Sequence, residues 1–198
     1  MHGDKKVLRN RLREARRSLS DEDAARSSLQ AGQAAISLAA YVRARSIGLY
    51  YPFDREVDTG FLRTHAVHVK KKVALPVVDP RGGGMVFVCW TPDTPMERGP
   101  FGIWQPRRTG KDGDTVRPGG MDVLFLPVVG FDRHGGRLGY GGGFFDRYLE
   151  GDRVVCRVGL AYGFQEVVSL PVERHDQKLH YVITENGVIP MPDAPLAS

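Results

Sequence analysis

Val123-Leu124-Phe125-Leu126-Pro127-Val128-Val129 is an unbroken apolar run. A run of this kind reads as a central strand covered on both faces. The rest of the chain must therefore supply layers above and below a sheet. Strand and helix signals alternate around it in the required way. Leu8, Leu12, Ala15 and Leu19 repeat at helical spacing, so residues 4–18 read as an amphipathic helix. Ser20-Asp21-Glu22-Asp23 reads as an N-cap followed by an acidic first turn, opening a second helix to about Val42. Ser46–Tyr51 reads as a strand. A helix capped by Asp58 or Thr59 runs to about Val69, and strands follow at Lys72–Val78 and Met85–Trp90, joined by a turn at Arg81–Gly84.

Residues 91–121 are rich in Gly and Pro with little periodicity, and read as one long loop of the kind that usually carries function. Beyond the central run come a short helix from about Gly143 to Leu149, strands at Val154–Ala161 and Tyr181–Thr184, and a frayed tail past Pro190. The order predicts an α/β fold: a three-layer sandwich with a mainly parallel sheet and helices on both faces. Residues 1–198 read as one domain, with no internal repeat and no interdomain linker.

The glycine-rich stretch after the central strand is the main chemical signal. Gly135-Gly136-Arg137-Leu138-Gly139-Tyr140-Gly141-Gly142-Gly143-Phe144-Phe145-Asp146 leaves a buried strand and opens a helix. Glycines let backbone N–H groups converge on one point, and a helix N-terminus adds partial positive charge, which together suit a phosphate. Arg137 can add a bidentate contact. Asp146, just inside the helix, is placed to hold Mg2+ beside phosphates. The stretch has neither the dinucleotide Gly-x-Gly-x-x-Gly spacing nor the Gly-Lys-Ser/Thr ending of a P-loop, so a flexible turn is the competing reading.

Charge adds a second signal. The chain carries a net charge of +5, and the whole excess lies in residues 1–17, where Lys5, Lys6, Arg9, Arg11, Arg13, Arg16 and Arg17 face only Asp4 and Glu14. Such a segment can bind nucleic acid, a membrane surface or a small polyanion. No apolar run approaches the roughly 18 residues of a membrane helix. The basic N-terminus has no apolar core region and no small-residue cleavage site, so it does not read as a secretory signal. The two cysteines, Cys89 and Cys156, lack ligand partners nearby, which fits a reduced cytoplasmic setting.

These segments together closely resemble the 5-formyltetrahydrofolate cyclo-ligase family. The likeness rests on Phe131-Asp132, Arg137-Leu138-Gly139-Tyr140-Gly141-Gly142-Gly143-Phe144 and Asp146-Arg147. It extends in the right order to Lys5-Lys6-Val7-Leu8-Arg9, to Tyr51 with Asp54–Thr59, and to Phe101-Gly102-Ile103-Trp104-Gln105-Pro106. The resemblance implies a monomeric cytoplasmic enzyme whose partners are ATP and 5-formyltetrahydrofolate, with Mg2+ as cofactor and no nucleic acid or membrane. It implies that Lys5, Lys6, Arg9 and residues 137–145, Phe145 included, meet ATP, with Arg137 and Lys5 acting in catalysis. It places Tyr51, Glu56, Phe101 and Tyr140 at the folate. It implies that the γ-phosphate passes to the formyl oxygen, after which the second folate nitrogen closes the ring.

Arg11 and Arg17 read as a solvated helix face. The chain departs from the family at Phe145, where Tyr is usual, at Gln105, where Glu is common, and at His180. There an Asp implied as a second Mg2+ contact is replaced by an imidazole, a poor ligand for a hard ion. Two other readings use the same features: a nucleic-acid binder working through the basic helix, and a sugar-phosphate or CoA-ester enzyme using the glycine loop alone.

Overall fold

The computed structural model describes residues 2–78, 84–108, 115–150, 156–171 and 176–194. Its centre is an eight-stranded sheet. In chain order the strands are β1 (Ser46–Gly48), β2 (Lys72–Val78), β3 (Met85–Trp90), β6 (Thr115–Val116), β7 (Val123–Pro127), β10 (Cys156–Leu160), β11 (Tyr181–Thr184) and β12 (Gly187–Pro190). They lie in the order β12-β11-β10-β7-β1-β2-β3-β6. The five strands from β11 to β2 are mutually parallel, and the flanking pairs at both ends are antiparallel. All five residues of β7 are buried, as a central strand requires.

Side chains of β7 alternate between two cores. Val123 and Phe125 join Ile47, Val73, Val158 and Ile183 on one face. That face is covered by α2 (Asp21–Ser37), α3 (Ala39–Arg43) and α4 (Gly60–His68) through Ala31, Ala35, Tyr41, Leu62 and Ala66. Leu124 and Leu126 join Phe87 and Val182 on the opposite face, which the short helix α5 (Phe144–Leu149) covers through Leu149. Helix α1 (His2–Arg17) lies elsewhere: Leu8 and Leu12 pack on Val129, Leu138 and Leu170 beyond the end of β7.

Several predicted boundaries shift. Ser20 Oγ accepts from the Asp23 amide as the cap predicts, but the helix it opens breaks at Leu38, whose extended backbone turns its side chain into the core. The predicted long loop contains a small hairpin of β4 (Met96–Arg98) and β5 (Trp104–Pro106), and edge strand β6. Gln105 is buried and its Oε1 accepts from the Val78 amide at 3.1 Å, tying that hairpin to the end of β2. A second hairpin pairs β8 (Gly130–Phe131) with β9 (Arg137–Leu138). The chain beyond Pro190 does not fray at once: Met191 is buried and its amide donates to the His180 carbonyl at 2.9 Å. Residues 81–83 of the predicted turn, 154–155 of the predicted strand and 195–198 of the tail lie outside the described residues.

Candidate active site

The predicted site segments meet at the carboxyl ends of the parallel strands, the usual ligand edge of such sheets. There the backbone leaves β7 and folds into the β8–β9 hairpin. Asp132 organises that turn. Its fully buried carboxylate accepts from the amides of His134, Gly136 and Leu170 at 2.8–2.9 Å. Gln165 fixes the other side, its amide nitrogen donating to the carbonyls of Val128 and Val129. The first half of the glycine-rich stretch is therefore hairpin, and the side chain of Leu138 is core.

The open part is Gly139–Gly143. Gly141 has φ +99° and Gly143, the residue before α5, has φ +63°, a conformation that glycine takes without the Cβ penalty. Gly141 and Gly142 are exposed. Arg9 Nε donates to the Gly139 carbonyl at 2.7 Å, and its guanidinium lies beside Gly141. Arg137 Nη2 donates to Asp146 Oδ1 at 2.8 Å, so these two predicted site residues are each other's partners. Phe145 faces inward against Phe87 and beneath the Arg137 guanidinium, which explains why a ring without a hydroxyl serves there. Phe144 carries the Arg147 guanidinium over its ring.

One edge of α1 serves two places. Lys5 Nζ lies 3.4 Å from Asp176 Oδ2 and Arg9 reaches the glycine loop, whereas Lys6 is exposed on another face. A turn or more further on, Arg13, Arg16 and Arg17 all bond Asp54. Arg17 is therefore more than a solvated residue, although half its side chain is exposed. Arg16 is 1% exposed, while Ala15, predicted to lie on the apolar stripe, faces solvent. Burial raises the Asp54 carboxyl, but the guanidiniums of Arg17 and Arg13 outweigh it and hold it below the usual carboxylate range.

Asp54 opens the second predicted segment. Asp54 and Arg55 both occupy the left-handed region, with φ of 50° and 57°. That conformation costs non-glycine residues free energy, which the three ion pairs to Asp54 offset. The loop is tied down further by Tyr50, whose hydroxyl donates to the Val57 carbonyl, and by Thr59, whose hydroxyl donates to the Tyr50 carbonyl. Glu56 is 8% exposed, and its Oε2 accepts from the Phe53 amide at 2.9 Å. Burial pushes the Glu56 carboxyl up to about 7, against the pull of Arg16, the Phe53 amide and the Tyr140 hydroxyl. The Tyr140 ring sits beneath the guanidiniums of Arg13 and Arg16, and its hydroxyl accepts from Arg16 Nη2. Tyr51 packs under the Arg63 guanidinium, 5.0 Å from its ring centre, with Trp90 at 5.2 Å from the same group.

Phe101 lies apart from these groups. It is 68% exposed, has φ +69° and meets Phe144 edge-on at 6.2 Å, so it stands over α5 and not beside Glu56. His180 is not placed to hold a cation. Both ring nitrogens face Arg157, at 3.1 Å from its amide and 2.9 Å from its guanidinium. Burial and that guanidinium push the imidazole down to about 4. The backbone next to Asp176, which sequence reading did not single out, does reach Asp146: the Gln177 amide donates to Asp146 Oδ1 at 3.3 Å. Asp176 and Arg137 line one shallow surface depression with Gly135, Gly136 and Leu170.

Among the described residues, no three of His, Cys, Asp and Glu cluster into a cation cage, and no helix is long and apolar enough to cross a membrane.

Comparison with known proteins gives the chain's family and fold relatives. A model of the 5-formyltetrahydrofolate cyclo-ligase family matches residues 1–185. A 5-formyltetrahydrofolate cyclo-ligase of Haemophilus influenzae is 36% identical over 179 residues, covering 89% of this chain and 95% of that protein. One from Escherichia coli is 34% identical over 181 residues, covering 89% and 98%. The NMR structure of Aquifex aeolicus 5,10-methenyltetrahydrofolate synthetase superposes with a TM-score of 0.82 at 30% identity, covering 98% of this chain and 96% of that one.

Proposed function

The chain belongs to the 5-formyltetrahydrofolate cyclo-ligase family, and on that premise we propose that it converts 5-formyltetrahydrofolate to 5,10-methenyltetrahydrofolate, with ATP cleaved to ADP and phosphate. The observation that carries the proposal is the meeting of three segments, α1, the Gly139–Gly143 loop and the Tyr51–Glu56 loop, at one edge of the sheet. We take residues 1–198 as a single catalytic domain acting as a cytoplasmic monomer.

The formyl group is amide-like, so its carbon is a weak electrophile and its oxygen a poor leaving group. Transfer of the γ-phosphoryl group to that oxygen, with ADP leaving, cures both. The second folate nitrogen then attacks the carbon and gives up its proton. The carbon–oxygen bond breaks, and phosphate departs with the electron pair. No protein nucleophile enters; the work is alignment and charge neutralisation. The exposed backbone of Gly141 and Gly142, with Arg9, Arg137 and Lys5, faces the phosphates. Lys5 and Arg137 act directly on the transferred group, and Lys6 supplies longer-range attraction. Glu56 and Tyr140 hold the folate ring system, with Tyr51 lining the same side. Phe101, standing over α5, supplies a flat apolar face for a heterocycle.

The donor set beside the loop fits Mg2+ that keeps water and phosphate oxygens as most of its ligands, because Asp146 and Asp176 are carboxylates and, among the described residues, no group of three metal-ligating side chains forms a cage. Asp146 and Asp176 would hold it there. When bound, the ion neutralises phosphate charge.

The test is direct. Protein, Mg-ATP and 5-formyltetrahydrofolate are mixed, and the near-ultraviolet absorbance of the methenyl product is followed. ATP-dependent product is expected; none at any protein concentration sinks the proposal.

A further inference from the structure

We propose that Arg16 is a positioning residue for the ring closure: it holds Tyr140 against the Glu56 carboxyl and so ties α1 and the glycine loop to the folate-facing loop. The proposal rests on the folate role given above to Glu56 and Tyr140.

Four observations converge on it. The Arg16 side chain is 1% exposed, a rare place for a guanidinium. Its Nη2 reaches two segments at once, Asp54 Oδ2 at 3.2 Å and the Tyr140 hydroxyl. Its Nη1 lies 3.5 Å from the Val128 carbonyl, at the end of the central strand. Its Nε is buried with no partner among the described residues, a cost that a plain surface staple would not carry.

A purely structural reading makes Arg16 the counter-ion of Asp54. Asp54 already has Arg13 and Arg17, which bond it from more exposed positions. Of the three, Arg16 is the one that bonds the Tyr140 hydroxyl. That hydroxyl is in turn among the groups that favour the ionised form of the Glu56 carboxyl. Hydrogen bonds therefore run from Asp54 through Arg16 to Tyr140, and Tyr140 acts in turn on Glu56, so that three segments distant in sequence are linked.

The groups that act on Glu56 are few. Arg16 and Tyr140 favour its ionised form, as does the Phe53 amide, while Asp54 opposes it. Tyr50 shares its surroundings, and the Tyr162 hydroxyl lies 3.4 Å from the Glu56 carbonyl. Removing Arg16 takes away a cation and frees the Tyr140 hydroxyl to turn away. Both changes push the Glu56 titration upward, by roughly one pH unit for loss of a nearby charge.

Two readouts separate this from the function itself. The Glu56 carboxyl is followed by carbon NMR of glutamate-labelled protein, with Glu56→Gln identifying its signal, and kcat/KM for 5-formyltetrahydrofolate is measured against pH. In the parent both midpoints fall near 7. In Arg16→Met both move up together by about one unit. Arg16→Lys, which keeps the charge, moves them less. Tyr140→Phe, which keeps Arg16 and the fold, also moves both upward. An NMR midpoint that stays put in Tyr140→Phe, or in folded Arg16→Met, overturns the proposal. So does an NMR midpoint that moves while the kinetic one does not. A parent with no cyclo-ligase turnover removes the proposed function instead, and the NMR titration still reads the Arg16–Tyr140–Glu56 link.

Discussion

Replacing Glu56 by Gln exposes a cancellation built into the stability of this fold. The Glu56 carboxyl titrates near 4.5 when unfolded and about 7 when folded, because burial disfavours its charge. Between those values the folded protein holds a proton that the unfolded chain releases. Stability therefore falls as pH rises through this window, by about 3 kcal/mol once the carboxyl is fully ionised. His180 does the reverse. Its imidazole titrates near 6.5 unfolded and about 4 folded, held down by burial and by Arg157. Here the unfolded chain takes up the proton first, so stability falls as pH drops from 6.5 toward 4, again by about 3 kcal/mol.

Across pH 4.5–6.5 the two slopes oppose each other, each amounting to one proton. The parent protein should show an unfolding free energy that is nearly level there. Glu56→Gln keeps an acceptor for the Phe53 amide and removes one slope, so its stability should climb by about 3 kcal/mol from pH 4.5 to 6.5. His180→Gln should fall by a similar amount over the same range. Urea unfolding at half-unit pH steps, with the denaturant slope constant, measures both. The reasoning is refuted if the Glu56→Gln profile runs parallel to the parent's.

Two further outcomes follow from the geometry. Arg137→Ala and Lys5→Ala each remove a charge-assisted contact worth about 1.5–3 kcal/mol. The KM for ATP should rise about tenfold or more in each, while calorimetric binding of 5-formyltetrahydrofolate stays within twofold; unchanged ATP kinetics in both would remove their phosphate roles. Asp132→Asn sets an amide against one of three buried N–H donors, so it should cost about 2–4 kcal/mol in urea unfolding. A loss below 0.5 kcal/mol would mean that the hairpin turn holds its shape without that carboxylate.

The central strand, the Ser20 cap and the helix after the glycine loop were legible because each rests on a local rule: an apolar run, a capping residue, glycine before a helix. The two small hairpins were not. Strands of two or three residues such as Met96–Arg98 and Arg137–Leu138 are too short to show a period. Asp54 carries no signal of its own, since its arginines lie about 40 residues away in the chain. Asp176 was hidden for the same reason, since Lys5, its ion-pair partner, lies at the other end of the chain. Arg16 did leave a trace. Leu8, Leu12 and Arg16 follow one another at intervals of four, so the apolar stripe of α1 continues into a guanidinium, and a charge on a buried stripe is an invitation to look for its partners.

That stripe also favours one reading of the basic helix over another. A nucleic-acid surface needs its cations displayed together toward solvent, where each can neutralise a phosphate. Here Lys5 pairs with Asp176, Arg9 bonds the Gly139 carbonyl, and Arg13, Arg16 and Arg17 converge on Asp54. Most of the local excess is thus spent inside the molecule, fastening α1 to the two loops. The end of α1 that meets exposed backbone is the Lys5–Arg9 end, where the Arg9 guanidinium lies beside Gly141. An extended strand of phosphates would meet Arg13 and Arg16 already engaged with Asp54.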